Sequence, residues 1–365
     1  MYGFSARGKK EPLLNSVRKI QICARPAFVN DSAMSRITIK DIARLLSLNA
    51  STVSRALSNH PNVNPETRQK VFEVAQEMGY IPNSLAVNLR RKHSGLIALV
   101  LADMNMFFLP SVIRAVEEQV RQAGYHLIIL QSNNDLAVET QNLHICRQMS
   151  VEGILISLSW QTRDLQHFAA LFEDKIPIVF FDKTPPEDGY NTVAIDDRQA
   201  AYRAAHYLVE KGYRQFIGLF GKPSLSMTQE RLAGYKQALG EAGFPVDESQ
   251  LIFAENSQSA KVQVFPLLKK TGQKAALFAM SDEVMVGAVQ AAGRAGCRIP
   301  EDLAVLCISD GFAPEFYNPP IAHLFHSGYE VGLTASKLLF RLILGEQRTP
   351  MRIQVHCPLV ELGSV

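Results

Sequence analysis

The spacing of apolar residues changes character near residue 95. Ahead of it, Ile39, Ile42, Ala43 and Leu46 recur at i, i+3, i+4 and i+7. That stripe predicts a short helix buried along one face, with Thr38 placed to cap it and Asp41 in its first turn. After a turn at Ser47, Leu48 and Asn49, the run ASTVSRALS predicts a second helix with Asn49 as its N-cap. Val53, Ala56 and Leu57 then face inward, and Ala50, Ser51, Ser54 and Arg55 face out. A third helix opens with Asn64 as cap and Pro65 at its first position, buries Val71, Val74, Ala75 and Met78, and ends at Gly79. Two helices joined by a three-residue turn, with a third across them, form a helix-turn-helix.

Beyond Leu96 the pattern becomes short, continuous apolar runs separated by amphipathic helices. Strands are predicted at 97–101, 126–132, 153–157, 176–182, 192–196, 215–221, 251–255, 275–280, 303–309 and 321–325, and a last strand pattern reads MRIQVHCPLVEL. Unbroken apolar strands alternating with helices are the mark of parallel sheets covered on both faces. So many βα units exceed one doubly wound sheet, so two α/β lobes are expected, joined near Asp196. In such folds small molecules bind where the carboxyl ends of the strands face a cleft. The segmentation is then 1–34 as a disordered or non-native extension, 35–82 as the helix-turn-helix head, 83–94 as hinge helix and linker, and 95–365 as a two-lobed effector-binding and dimerisation domain.

Charge divides the chain the same way. Residues 1–34 hold six Lys/Arg against two Asp/Glu, residues 35–93 nine against four, and residues 94–365 23 against 29. A basic N-terminal part on an acidic body points to a polyanion partner at one end. The cysteines Cys23, Cys146, Cys297, Cys307 and Cys357 lie scattered, with no CxxC pair and no metal-ligand spacing, which fits a reducing cytoplasm. No run approaches the apolar length of a membrane span, and residues 1–34 lack the apolar core of an export signal. No membrane partner is expected. There is no P-loop, no GxGxxG after a strand, no HExxH and no GxSxG, so no catalytic residue, metal or cofactor is expected.

The outward face of the second helix is small enough to enter a major groove. There Arg55 can fork onto guanine, Ala50 can meet a thymine methyl and Ser51 can serve either base. Thr38 and Thr52 serve as caps, as phosphate contacts, or as both. Residues 83–89, NSLAVNL, carry an N-cap in Asn83 and Leu85, Ala86 and Leu89 at helical spacing, but a helix this short does not form alone. Pairing with a second copy in a minor groove supplies the missing support and lets Leu89 wedge between base steps. Arg90, Arg91 and Lys92 follow, where a helix C-terminus and nearby phosphates both favour cations. At the strand ends, Phe107, Phe108, Asp182, Lys183, Arg231 and Asp310 offer charged groups over aromatic walls, a setting suited to a polyhydroxylated ligand. For Arg231 and Asp310 the other use is an ion pair within the protein. Asp282 reads as an ordinary helix N-terminal residue, and Trp160, the single tryptophan, as a rim or core residue with sugar stacking as the alternative.

The stretches TIKDIARLLSLNASTVSRALS and VNPETRQKVFEVAQEMGYIPNSLAVNLR resemble the DNA-binding head of LacI/GalR-type repressors, and SDEVMVGAVQAAGRAGCRIPEDLAVLCISDG resembles their effector-binding core. The likeness covers about residues 36–362. One departure is Ser47, where the family usually has a glycine; Leu48-Asn49 stands where Val-Ser is commoner. The resemblance implies an all-α helix-turn-helix head on an α/β periplasmic-binding-protein-like core. It places base reading at Ala50, Ser51 and Arg55, minor-groove insertion at Leu89, and ligand contact at Arg231 and Asp310. The expected protein is a ligand-responsive repressor, not an enzyme. It would bind a pseudo-palindromic operator in double-stranded DNA as a homodimer, with a sugar or sugar phosphate as effector. The chain stops at Val365 without a heptad tail, which favours a dimer over a tetramer. A sugar-binding transport receptor on the same two-lobed fold is the alternative, and it has no use for residues 36–93.

Overall fold

A computed structural model describes residues 37–80, 93–269 and 274–365. The expected extension at 1–34 and the segment carrying Asn83 and Leu89 lie outside the described residues. What is described forms two compact units, the head and the core.

In the head, α1 spans Ile39–Leu45, α2 Ala50–Leu57 and α3 Pro65–Glu77. At the start of α1 the Asp41 carboxylate accepts from the Thr38 amide at 2.9 Å and from the Thr38 hydroxyl at 2.6 Å. Asn49 occupies the N-cap position of α2, but its side chain makes no capping bond. Asn64 caps α3 through a bond from the Glu66 amide, with Pro65 behind it. Ile42, Ala43, Val53, Ala56, Val63, Val71 and Ala75 make one small core. Leu57 and Val74 are only half-buried against it. Arg68 of α3 holds the α2–α3 loop, donating to the Asn59 side chain and to the His60 and Val63 carbonyls.

The core unit has two six-stranded sheets. In the first lobe, β1 (Leu96–Leu101), β2 (His126–Gln131), β3 (Gly153–Ile156), β4 (Ile178–Phe181) and β5 (Thr192–Ile195) are joined by β11 (Arg352–Val355) in the order β11-β5-β4-β3-β1-β2, all parallel. In the second, β6 (Phe216–Phe220), β7 (Leu251–Phe253), β8 (Ala275–Ala279), β9 (Leu303–Ser309) and β10 (Ala322–Phe325) are completed by an antiparallel β12 (Leu359–Val360), in the order β12-β10-β9-β8-β6-β7. Both sheets reverse strand order beside their first strand, β1 or β6. That reversal opens a crevice at the carboxyl edge where a ligand fits. The central strands β3, β4, β8 and β9 are buried along their whole length, as helices on both faces require.

The first-lobe helices are α4 (Leu109–Gln122), α5 (Leu136–Gln148) and α6 (Ala169–Glu173). The second lobe has α7 (Asp197–Glu210), α8 (Ser226–Glu241), α9 (Ser257–Leu268) and α10 (Asp282–Ala295). A last helix, α11 (Gly328–Ile343), follows the second lobe's strands in sequence yet packs on α4 of the first. Its Gly332 lies so close to α4 that a β-carbon there would sit 2.7 Å from the Val112 carbonyl oxygen. The expected single junction near Asp196 is therefore corrected to three crossings: after β5, between β10 and α11, and between β11 and β12. The C-terminal pattern read as one strand is two, one in each sheet, because the chain uses residues 356–358 to pass between lobes.

Candidate functional site

On α2, Ala50, Ser51 and Arg55 are exposed, while Thr52 and Ser54 are half-buried. Val53 and Ala56 point into the head core. The helix thus offers small side chains at its N-terminal turn and a guanidinium one turn on. No acidic side chain pairs with Arg55 among the described residues, so its fork is available to a base edge or a phosphate. Thr38, also exposed, has its hydroxyl proton committed to Asp41, so capping is one use it has.

In the core, a cleft of about 400 Å³ lies between the carboxyl edges of the two sheets. Phe107 and Phe108 lie in the loop after β1, Trp160 after β3, and Asp182 and Lys183 after β4. From the second lobe come Lys222 after β6, Asp282 and Glu283 after β8, Asp310 after β9, and Arg231 from α8. All six residues expected at a ligand site, Phe107, Phe108, Asp182, Lys183, Arg231 and Asp310, line this one cleft. Phe108 is buried and stacks on His326, with ring centroids 4.8 Å apart. Asp182 has a left-handed backbone, φ 58°, and its carboxylate accepts from the Ser157 hydroxyl at 3.2 Å. Lys183 reaches the sulfur of Met106 at 4.0 Å.

The lobes touch across the cleft. Asp310 of the second lobe accepts from the Ser111 hydroxyl of the first at 3.1 Å, and the Phe107 amide donates to Glu283 at 3.1 Å. Lys222 lies over the Trp160 ring, 3.6 Å from its centroid, and pairs with Glu255 at 3.3 Å. Arg231 is nearly fully buried; its Nε donates to Asp197 at 2.8 Å, its Nη2 lies 2.8 Å from the same carboxylate oxygen, and Nη1 donates to the Met280 carbonyl. The guanidinium is thereby fixed in orientation at the cleft wall.

Burial dominates the electrostatics. It pushes the Asp182 carboxyl above its usual range, against the pull of Lys183 and Arg231. Asp310 is raised for the same reason, while the Phe312 amide and Ser111 oppose the shift. Asp282 is pushed up to about 7, and the His326 imidazole down to about 3, so the ring is neutral. Glu283, Lys222 and His326 are cleft residues that pattern reading does not single out, and Asp282, expected as an ordinary helix N-terminal residue, lines the cleft as well. A signal exists for Asp282, the first residue of α10, since it follows the carboxyl end of a strand. His326 has none, because the crossing it occupies is not visible in the sequence. Among the described residues no cluster of His, Cys, Asp and Glu is arranged to hold a metal, the four cysteines are free, and no helix is long and apolar enough to cross a membrane.

Residues 94–361 match the sequence model of periplasmic binding proteins and the sugar binding domain of the LacI family, and residues 38–83 match that of bacterial regulatory proteins of the lacI family. The transcriptional regulator MalR of Clostridium butyricum is 32% identical over 314 residues, which cover 84% of this chain and 93% of that protein. The transcriptional regulator DegA of Bacillus subtilis (strain 168) is 29% identical over 327 residues, 89% of this chain and 97% of its own. A solved complex of the regulator CelR with cellobiose is similar at a TM-score of 0.68 and 25% identity, covering 90% of this chain and 100% of that one. The Lac repressor dimer bound to operator and the anti-inducer ONPF shares the fold, at a TM-score of 0.80 and 22% identity over 90% of this chain and 98% of its own. The relatives are transcription regulators rather than enzymes, and with head and core both matched in one order the chain belongs to the LacI family of DNA-binding transcription regulators.

Proposed function

We propose that this regulator is a homodimeric repressor whose grip on a pseudo-palindromic operator depends on a small polyhydroxylated molecule in the interlobe cleft. The observation that carries this reading is the cleft itself: residues of both lobes line it, and bonds from one lobe to the other cross it. A ligand gripping both walls binds one lobe–lobe arrangement better than another, and that difference in affinity is what a switch requires. The cellobiose held by CelR, a protein of the same fold, supports a carbohydrate as the ligand class. Phe107, Phe108, Asp182, Lys183, Arg231 and Asp310 are the proposed ligand residues.

At the other end, two heads read successive major grooves through Ala50, Ser51 and Arg55, with Thr38 and Thr52 on the backbone. Asn83 and Leu89 belong to a paired hinge segment that bends the site at its centre. A segment this short is only marginally helical, so a few kcal/mol of ligand preference is enough to form or dissolve it.

Gel shifts on the DNA upstream of the protein's own gene test the reading. Sequence-selective binding that weakens with salt is expected, and Arg55→Ala should cost roughly 1–3 kcal/mol on the preferred site while relaxing preference at one base. Binding that is equal on random DNA contradicts the operator reading. An equal loss on both DNAs in Arg55→Ala means that Arg55 meets only phosphate.

A further inference from the structure

The charges in the cleft wall say which molecules it accepts, an inference that rests on the effector reading above. Six carboxylates line it, those of Asp103, Asp182, Glu255, Asp282, Glu283 and Asp310, against three cations. Two of the three are already committed: Arg231 to Asp197 and the Met280 carbonyl, Lys222 to Glu255 and the face of Trp160. Among the described residues, Lys183 alone of the three has no acidic partner within ion-pair distance. Helix N-termini also face the cleft and ordinarily welcome anions, but α10 begins with Asp282 and Glu283, and Glu283 takes the Phe107 amide just ahead of α4. The Asn256 side chain caps α9, with Glu255 before it, which leaves α8 as the one helix start here without an acidic or capping side chain. A phosphate or carboxylate entering here meets carboxylates rather than an open cationic fork.

Two polar atoms in this wall are buried without any partner, Asp282 Oδ1 and His326 Nε2, on side chains that are only 4% and 7% exposed. A neutral imidazole nitrogen either donates or accepts, and so does a carboxyl group that shares its proton near neutrality. A hydroxyl group does both and so matches each of them. The aromatic walls of Phe107, Phe108 and Trp160 suit the apolar face of a sugar ring.

We propose that the cleft selects an uncharged, hydroxyl-rich molecule, anchored by Asp282 and His326, and rejects its phosphorylated and carboxylated counterparts. Melting of the full-length protein against a sugar panel tests this, because a ligand bound only by the folded state raises the melting midpoint. The probes are glucose, galactose, ribose, maltose and cellobiose, set against glucose 6-phosphate, ribose 5-phosphate and gluconate. At least one uncharged sugar should raise the midpoint in proportion to its concentration, with no comparable effect from the charged compounds. Asp282→Asn, near-isosteric and checked for folding by its unliganded melt, should weaken that sugar by roughly tenfold or more, as should His326→Ala. A charged compound that stabilises more than its uncharged parent overturns the proposal, as does a panel in which no uncharged sugar stabilises. Unchanged affinity in both variants overturns the anchoring. Operator gel shifts on the same preparations separate a failure here from a failure of the regulator reading.

Discussion

Ser47 holds the turn between α1 and α2 with φ at +51°, in the left-handed region that side chains avoid. An L-residue there costs about 1–2 kcal/mol, part of which a glycine returns through the greater freedom of its unfolded chain. Ser47→Gly should stabilise the head by about 0.5–1 kcal/mol. Amide exchange at Ile42 and Val53 in the full chain should slow by roughly two- to fivefold; faster exchange would mean that the serine side chain supports the turn. The departure was visible in the sequence as a serine where glycine is usual, but its backbone angle was not. Arg231 illustrates the opposite limit. An arginine at a strand-end cleft was legible, whereas its partner Asp197 lies 34 residues earlier and only the fold brings the two together. Asp282 carried a signal, its place after a strand end, but looks like any helix start, whereas His326 carried none, because it lies where the chain crosses between lobes.

At the scale of elements, every strand run read from the sequence became a strand: the central β3, β4, β8 and β9 are apolar and buried along their length, and the edge strand β2, with no fully buried residue, still carries an apolar run between its helices. The ends were less legible. The run 176–182 shrinks to Ile178–Phe181, since Asp182 turns out of the sheet with its left-handed backbone. The path of the chain after β10 was not legible at all, because the amphipathic pattern of α11 is the same whichever sheet it covers. What fixes α11 on the first lobe is its close approach to α4 at Gly332. Gly332→Ala pushes a methyl group into the Val112 carbonyl and should cost about 1–3 kcal/mol, read as a lower melting midpoint of the core. An unchanged midpoint would show that the two helices separate freely.

For the whole molecule, charge separates a basic head from an acidic core, and three chain crossings tie the two lobes that line the cleft; the proposed function gives DNA to the first and the effector to the second. Trp160, the single tryptophan, lies in the cleft under Lys222, so its emission reports filling of the cleft independently of DNA. In the proposed function, cleft and operator are energetically coupled. The direct measurement is the anisotropy of a labelled upstream operator titrated with protein, with and without a sugar shown by Trp160 emission to saturate the cleft. Operator affinity should change by roughly 5- to 150-fold, with sugar affinity changing by the same factor when operator is bound. An operator affinity that stays the same with the cleft full would contradict that coupling.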